Sequence, residues 1–322
     1  MTTYKEIRGT NIEVLATDPS NPVTGQVWYN STSNVVKAQS VNPGSWVTGN
    51  NLNTARSKLA GSGTQTAALA FGGSIPPNTG ATESYNGTNW TELSDLNNVR
   101  SRLAGCGTQT AALAIGGFPN PLLAKTELWN GSSWSNVNDM QTGRRDLGGA
   151  GTSTSALATG GQPTPSKAET ELWNGTNWTE VADLNFGRVE VVAAGASNTA
   201  VLAFGGLLDN VSDSTESWNG SNWTEVNQMS RPLGAMRYAA GSGIQTAALA
   251  FGGGGPTALT ETWNGTNWTE VGDLNTGRNY LAGCGTNTTA LAFAGVPGAT
   301  PGALAATEEF NSGSTTVTFT DS

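Results

Sequence analysis

The stretch Thr260–Ala294, TETWNGTNWTEVGDLNTGRNYLAGCGTNTTALAFA, recurs along the chain, and no other feature restricts the fold as strongly. Tyr85-Asn86-Gly87, Trp129-Asn130-Gly131, Trp173-Asn174-Gly175 and Trp218-Asn219-Gly220 begin other copies. Gly-Gly pairs at 72–73, 116–117, 160–161, 205–206 and 252–253 hold the phase at 44 to 47 residues, and a sixth, weakened copy ends at Ala294-Gly295. A period of this length belongs to solenoids, propellers and arrays, because a single repeat cannot bury its own apolar face and must stack on its neighbours.

Each full copy reads as four short strands. In the second copy these are a glycine-rich strand a at Leu103–Gly107, b at Ala111–Gly116, c at Thr126–Trp129 and d at Trp134–Val137. In strand b, Leu113 and Ile115 share one face and Ala112 and Ala114 the other, so both faces of the sheet are apolar and covered. The c–d turn is Asn-Gly-(Ser/Thr)-(Asn/Ser), and Asn-Gly is expected to supply the positive φ angles of a tight hairpin. Only 12% of the residues are charged while Gly, Thr, Asn and Ser abound, which suits strands and turns rather than helices.

Four-stranded sheets of this period, apolar on both faces, are expected to stack around an axis as a β-propeller. A Gly-Gly pair closing b, an aromatic on c, a Trp opening d and an Arg before the next a together resemble the Kelch repeat over residues 46–310. The resemblance implies a Kelch-like propeller, all-β, of six four-stranded antiparallel blades, with seven as the alternative. Trp46, Trp90, Trp134, Trp178, Trp223 and Trp268 recur at 44 or 45 residues, so the first d-type strand precedes the first complete copy. It is expected to complete the last blade and remove an exposed edge; a strand over Thr315–Thr320 is the competing candidate.

Two domains are expected: an N-terminal attachment segment over 1–44, with a hairpin of Gln26–Tyr29 and Val35–Ala38, and the propeller over 45–322. The string DPSNPVTGQVWYNSTSNVVKAQ is similar to a short module near the start of tailed-phage fibre and appendage proteins. That resemblance implies a virion protein assembled in the host cytoplasm and carried on the extracellular particle. Its expected partners are other virion proteins, through the N-terminal segment, and a host surface receptor or glycan; self-association stays open. The first residues lack the apolar core of a secretory signal, and no run approaches eighteen apolar residues, so no membrane insertion is expected. A net charge of −9 argues against nucleic acid, which requires clustered Lys and Arg.

The chain contains no histidine, which removes the commonest general base and imidazole ligand. Its two cysteines, Cys106 and Cys284, fall at one repeat position otherwise held by Ser62, Ala150, Gly195 and Ser242, a place for a small side chain. Glu83, Glu127, Glu171, Glu216, Glu261 and Glu308 recur two residues before the strand-c aromatic, and Asp95, Asp139, Asp183 and Asp273 five residues after the d-strand Trp. Arg56, Arg100, Arg144, Arg188 and Arg278 recur likewise and are expected to bind carboxylates between neighbouring blades. Repetition in nearly every copy points to architecture, so no cofactor, no metal and no enzymatic activity are expected.

What varies is one set of loops. The b–c connections read SIPPNTGA, FPNPLLAK, QPTPSKAE, LLDNVSDS, GGPTAL and VPGATPGALAA, whereas the a–b and c–d turns repeat with little change. Variable loops on a fixed scaffold are where recognition resides. The expected partner-binding residues are Phe118, Leu122 and Leu123 in one loop, Leu207, Leu208 and Asp209 in another, and Tyr238 in a long linker emerging on the same side. The rival readings are a virion decoration without a receptor, and a carboxylate-based enzyme acting on polysaccharide, for which Asp209 and Asp213 are the one loop pair.

Overall fold

A computed structural model describes residues 12–23, 25–119, 124–162, 168–207, 213–231, 236–298 and 302–319. The chain divides into two compact units, Ser45–Asn311 and Met1–Gly44 with Ser312–Ser322. The larger unit is an all-β propeller built from four-stranded antiparallel blades. Five such blades follow one another in sequence, each with its strands in chain order. The second consists of Ala104–Gly107, Ala112–Ile115, Thr126–Trp129 and Trp134–Val137.

The expectation of six equal blades, or of seven, is corrected here: the sixth copy does not form a separate four-stranded sheet. Its strands Ala282–Gly285, Thr289–Phe293 and Thr307–Phe319 belong to a six-stranded sheet, where Thr307–Phe319 lies beside Val35–Gly49, the strand that carries Trp46. The tail is thus the continuation of the strand that holds Phe310, and the Trp46 strand is its neighbour. A tail strand standing in for Trp46 is ruled out by this order.

Apolar side chains fill the spaces between successive copies. Strand b turns its large residues toward the following copy and its alanines toward the preceding one. Leu113 and Ile115 meet Ala156, Ala158, Trp173 and Trp178. Ala112 and Ala114 receive Leu69 and Phe71. Large against small across every seam lets the layers interdigitate without voids. The seam between the sixth copy and the first is of the same kind, with Leu291 and Phe293 against Ala68, Ala70, Tyr85 and Trp90.

Directional bonds fix the same seams. Each d-strand indole donates from Nε1 to the Thr that opens strand c of the preceding copy: Trp134 to Thr82, Trp178 to Thr126, Trp223 to Thr170 and Trp268 to Thr215. Trp90 donates to Thr307 and Trp46 to Thr260, both at 3.0 Å, so the series returns on itself. The Gly-Gly pair explains itself at the same level. At Gly73 φ is +112°, and a Cβ would lie 2.9 Å from the carbonyl oxygen of Ser57, while its N–H donates to Arg100 O in the next linker. Only glycine combines that conformation with so close an approach. In the sixth copy Ala294 takes the first place of the pair at φ 63°, and Gly295 still donates to Arg56 O.

The c–d turn differs from expectation. Of Asn86-Gly87 only the glycine has positive φ, and Tyr85 pairs with Trp90, so the loop has four residues. Asn86 does not take the positive φ expected of it; it accepts the N–H groups of Thr88 and Asn89 on its Oδ1, a local side-chain turn.

In the smaller unit Glu13–Leu15 runs parallel to Val27–Asn30, which pairs antiparallel with Val35–Gly49. Trp28 is wholly buried there, and Asp18 gathers its indole N–H, the Asn30 amide and the Lys37 ammonium within 3.0 Å. These donors hold the Asp18 carboxyl down at about 2, with Lys37 the largest contributor. The distinctive residues of the N-terminal string are thereby accounted for as the frame of this small fold.

Candidate functional site at the axial mouth

The repeated charges are structural. Arg100, Arg144, Arg188, Arg231 and Arg278 pair with Glu127, Glu171, Glu216, Glu261 and Glu308 at 2.9 to 3.1 Å, and Arg56 pairs with Glu83. Every one of these side chains is buried. The pairs lie within single copies, which corrects the expectation that they bridge neighbouring blades. Arg100, for example, also donates to Lys125 O and Ala114 O of its own copy, so the guanidinium ties strands b and c to the incoming linker. Burial pulls Arg100 down to about 10 against the opposing pull of Glu127. Asp139 takes no part and meets Lys125 at the surface.

Arg231 was not among the expected arginines. In the fifth copy Met236 stands four residues before strand Ala240–Ile244, where the other copies have Arg, and Arg231 reaches Glu261 from the lengthened linker. The signal was an Arg two residues after Met229, which holds the place of Leu52, Leu96, Met140, Leu184 and Leu274, each four residues before its own arginine.

The strands a line the axis. Toward one end the lining is Gly-Ser-Gly, Gly-Cys-Gly and their equivalents, almost wholly main chain. Cys106 and Cys284 lie there, buried and unbonded to each other, and burial pushes both thiols up to about 12. The other end is different. Its lining alternates an apolar collar, including Leu59, Leu103, Leu147 and Leu281, with an outer ring of Lys58, Arg102, Asp146, Glu190, Tyr238 and Tyr280.

Those six residues occupy one repeat position and share one conformation. Each stands in the left-handed region, with φ between 53° and 61°. The cause is a main-chain circuit around the mouth. Lys58 N–H donates to Tyr280 O, Arg102 to Lys58 O, Asp146 to Arg102 O, Glu190 to Asp146 O and Tyr280 to Tyr238 O, all within 2.9 Å. Left-handed backbone costs an L-residue roughly 1–2 kcal/mol, and glycine or asparagine are the usual occupants. None of the six is either. Strain retained beneath large side chains is a mark of functional places.

The side chains make a connected cluster. Arg102 bonds Asp146 at 2.9 Å, with Arg145 at 3.7 Å from the same carboxylate, and Arg237 reaches Glu190 at 3.3 Å. Burial raises both carboxyls; Arg102 opposes it at Asp146, and the Tyr238 hydroxyl and then Arg237 oppose it at Glu190. Tyr238 and Tyr280 stack with centroids 3.8 Å apart. Lys58 Nζ lies 4.8 Å from the centre of the Tyr280 ring, and Arg237 lies over Tyr238 at 5.0 Å. Among the described residues no group of His, Cys, Asp and Glu is arranged to hold a metal ion.

Of the expected partner-binding residues, Tyr238 is in this ring. Phe118 is one step outside it: half-buried, bridged to Ser101 through the backbone, with the Arg145 guanidinium 5.0 Å above its ring. Leu207 bridges Val189, the neighbour of Glu190, in the same manner. Leu122, Leu123, Leu208 and Asp209 lie outside the described residues. The ring positions 58, 102, 146, 190 and 280 lie outside the loops of variable length from which the sequence-based expectation was drawn. The signal was a position within an otherwise constant repeat that changes from Lys to Arg, Asp, Glu and then Tyr in successive copies.

Among solved structures, that of YjhT superimposes with a TM-score of 0.68 at 12% identity, covering 80% of this chain and 95% of its own. At that identity the likeness establishes the fold, a β-propeller, and nothing finer. No family model and no curated protein matches the chain.

Proposed function

We propose that the protein is a non-enzymatic recognition module of the Kelch type, carried on a virion appendage of a tailed phage. It binds a host surface or another virion protein through the end of the propeller that holds the mouth ring and the starts of the b–c loops. The observation that carries the reading is the ring itself: one backbone geometry repeated six times, filled by Lys, Arg, Asp, Glu, Tyr and Tyr. Architecture demands the geometry, and something other than architecture must account for the side chains.

The reading of a binder rather than an enzyme rests on how the two ring carboxylates are used. Asp146 and Glu190 are both engaged by arginines, Glu190 by the Tyr238 hydroxyl as well, and the chain has no histidine to act as a general base. The similarity of the N-terminal string to phage appendage modules supports the virion setting. Immunogold labelling of assembled particles, combined with adsorption of the purified protein to host cells, tests both halves. Label on a tail appendage with saturable adsorption is expected. Absence of the protein from particles would remove the virion assignment, and turnover of surface polysaccharide by the purified protein would replace the binder with an enzyme.

A further inference from the structure

One cation of the mouth ring has an aromatic face and a nearby carboxylate but no ion-pair partner among the described residues. Asp146 and Glu190 have their arginines, but among the described residues Lys58 takes part in no ion pair. It is half-buried, so its ammonium has given up part of its hydration, and Arg102 stands on the same aromatic ring, with its guanidinium carbon 5.8 Å from the centre of Tyr280. Over the whole mouth Lys58, Arg102, Arg145 and Arg237 face two carboxylates, in a chain whose net charge is −9. Of its 15 Lys and Arg, six are committed to the buried pairs with Glu, so these four are a large part of what remains. A local positive surplus held at an axial cavity of an acidic protein attracts an anion. Asp146 and Glu190 stand in the same ring as Lys58 and repel a second negative charge there, which favours a carboxylate over a dianionic phosphate.

We infer that the axial mouth binds a carboxylate, seated against Lys58 beside the stacked Tyr238 and Tyr280. This rests on the mouth being the recognition surface proposed above and adds the chemistry of what it recognises. A ligand that carries its carboxylate on a flat or ring-shaped body places that body against the tyrosines, where aromatic faces favour such contact.

The test is an NMR titration of the intact protein with benzoate at constant ionic strength, with benzamide and inorganic phosphate in parallel. Saturable shifts at Lys58 and Tyr280 are expected with benzoate and not with benzamide. Affinity should fall by about tenfold or more in Lys58→Met, as when a charged hydrogen-bond partner is removed. It should be retained in Lys58→Arg and in Lys125→Met, a surface control. Absence of saturation, an unchanged affinity in Lys58→Met, an equal response to benzamide, or tighter binding of phosphate would each overturn the inference. Adsorption of the same variants separates the two claims. If Lys58→Met loses benzoate but keeps its partner, the recognition reading falls and the carboxylate site stands. If partner binding needs the mouth while benzoate never saturates, the reverse holds.

Discussion

Trp46 Nε1 donates to Thr260 Oγ1 across 3.0 Å, joining residues 214 apart in the sequence. The same indole packs on Phe251 and Phe310 with ring centroids 4.9 and 5.2 Å away, so a single side chain near the start of the chain closes the seam between the fifth and sixth copies. Closure of this kind joins the two ends of the repeat array, so that the last copy is not left with an uncovered face.

Trp46→Ala should therefore cost ~3–5 kcal/mol, the usual range for emptying a buried Trp site. Urea unfolding followed by circular dichroism measures it. Trp90→Ala, which breaks the equivalent bond to Thr307, should cost a similar amount. A loss below ~1 kcal/mol in Trp46→Ala alone would mean that the seam does not depend on that residue.

The Arg–Glu pairs behave differently when broken singly and together. Arg144→Met leaves Glu171 buried without its 2.9 Å partner and should destabilise by ~3–5 kcal/mol. Arg144→Met with Glu171→Leu removes both charges and should recover much of that loss. The double variant will not recover it all, because Arg144 also donates to Glu169 O and Gly160 O. Equal destabilisation in single and double variants would show that the backbone bonds, not the ion pair, carry the energy.

The smaller unit should be sensitive to acid in a particular window. Folding lowers the Asp18 carboxyl to about 2, below its ordinary value near ~3.9. Its contribution is then fully present above about pH 4 and is lost as pH falls toward about 2. The Trp28 indole N–H resonance, bonded to Asp18, should titrate over that window, and Asp18→Asn should abolish the dependence. A midpoint near 4 in the unsubstituted protein would contradict the assigned bonds.

Strands c and d were legible to the residue. Thr-Glu-x-aromatic and Trp-x-x-(Val/Leu) repeat in almost every copy, and their ends are set by the paired Trp129 and Trp134. The place of Trp46 was legible too, because the spacing of six tryptophans continues past the first complete copy. What escaped was set by backbone geometry without a glycine to announce it. Lys58 and Tyr280 adopt left-handed φ because the preceding copy's linker offers a carbonyl to their N–H groups, and nothing in their side chains signals it. The Asn86-Gly87 turn was misread for a related reason: the asparagine oxygen accepts N–H groups, a bond that sequence alone does not distinguish from a positive φ. Arg231 escaped because it reaches its glutamate from a linker of altered length.

The two ends of the propeller supply the most direct comparison. Lys58→Asn and Tyr280→Asn change the mouth while keeping a residue that tolerates left-handed backbone, so the melting temperature should hold or rise by a few degrees. Asn130→Ala alters the opposite end, where Asn130 accepts the N–H groups of Ser132 and Ser133, and should lower stability by ~1 kcal/mol. Surface plasmon resonance of all three against the host surface or the isolated virion partner is the measurement. The expected result is that Lys58→Asn and Tyr280→Asn weaken binding by about tenfold or more while Asn130→Ala binds as the unsubstituted protein does. Undiminished binding by both mouth variants, with loss confined to Asn130→Ala, would place recognition at the other end and contradict the reading.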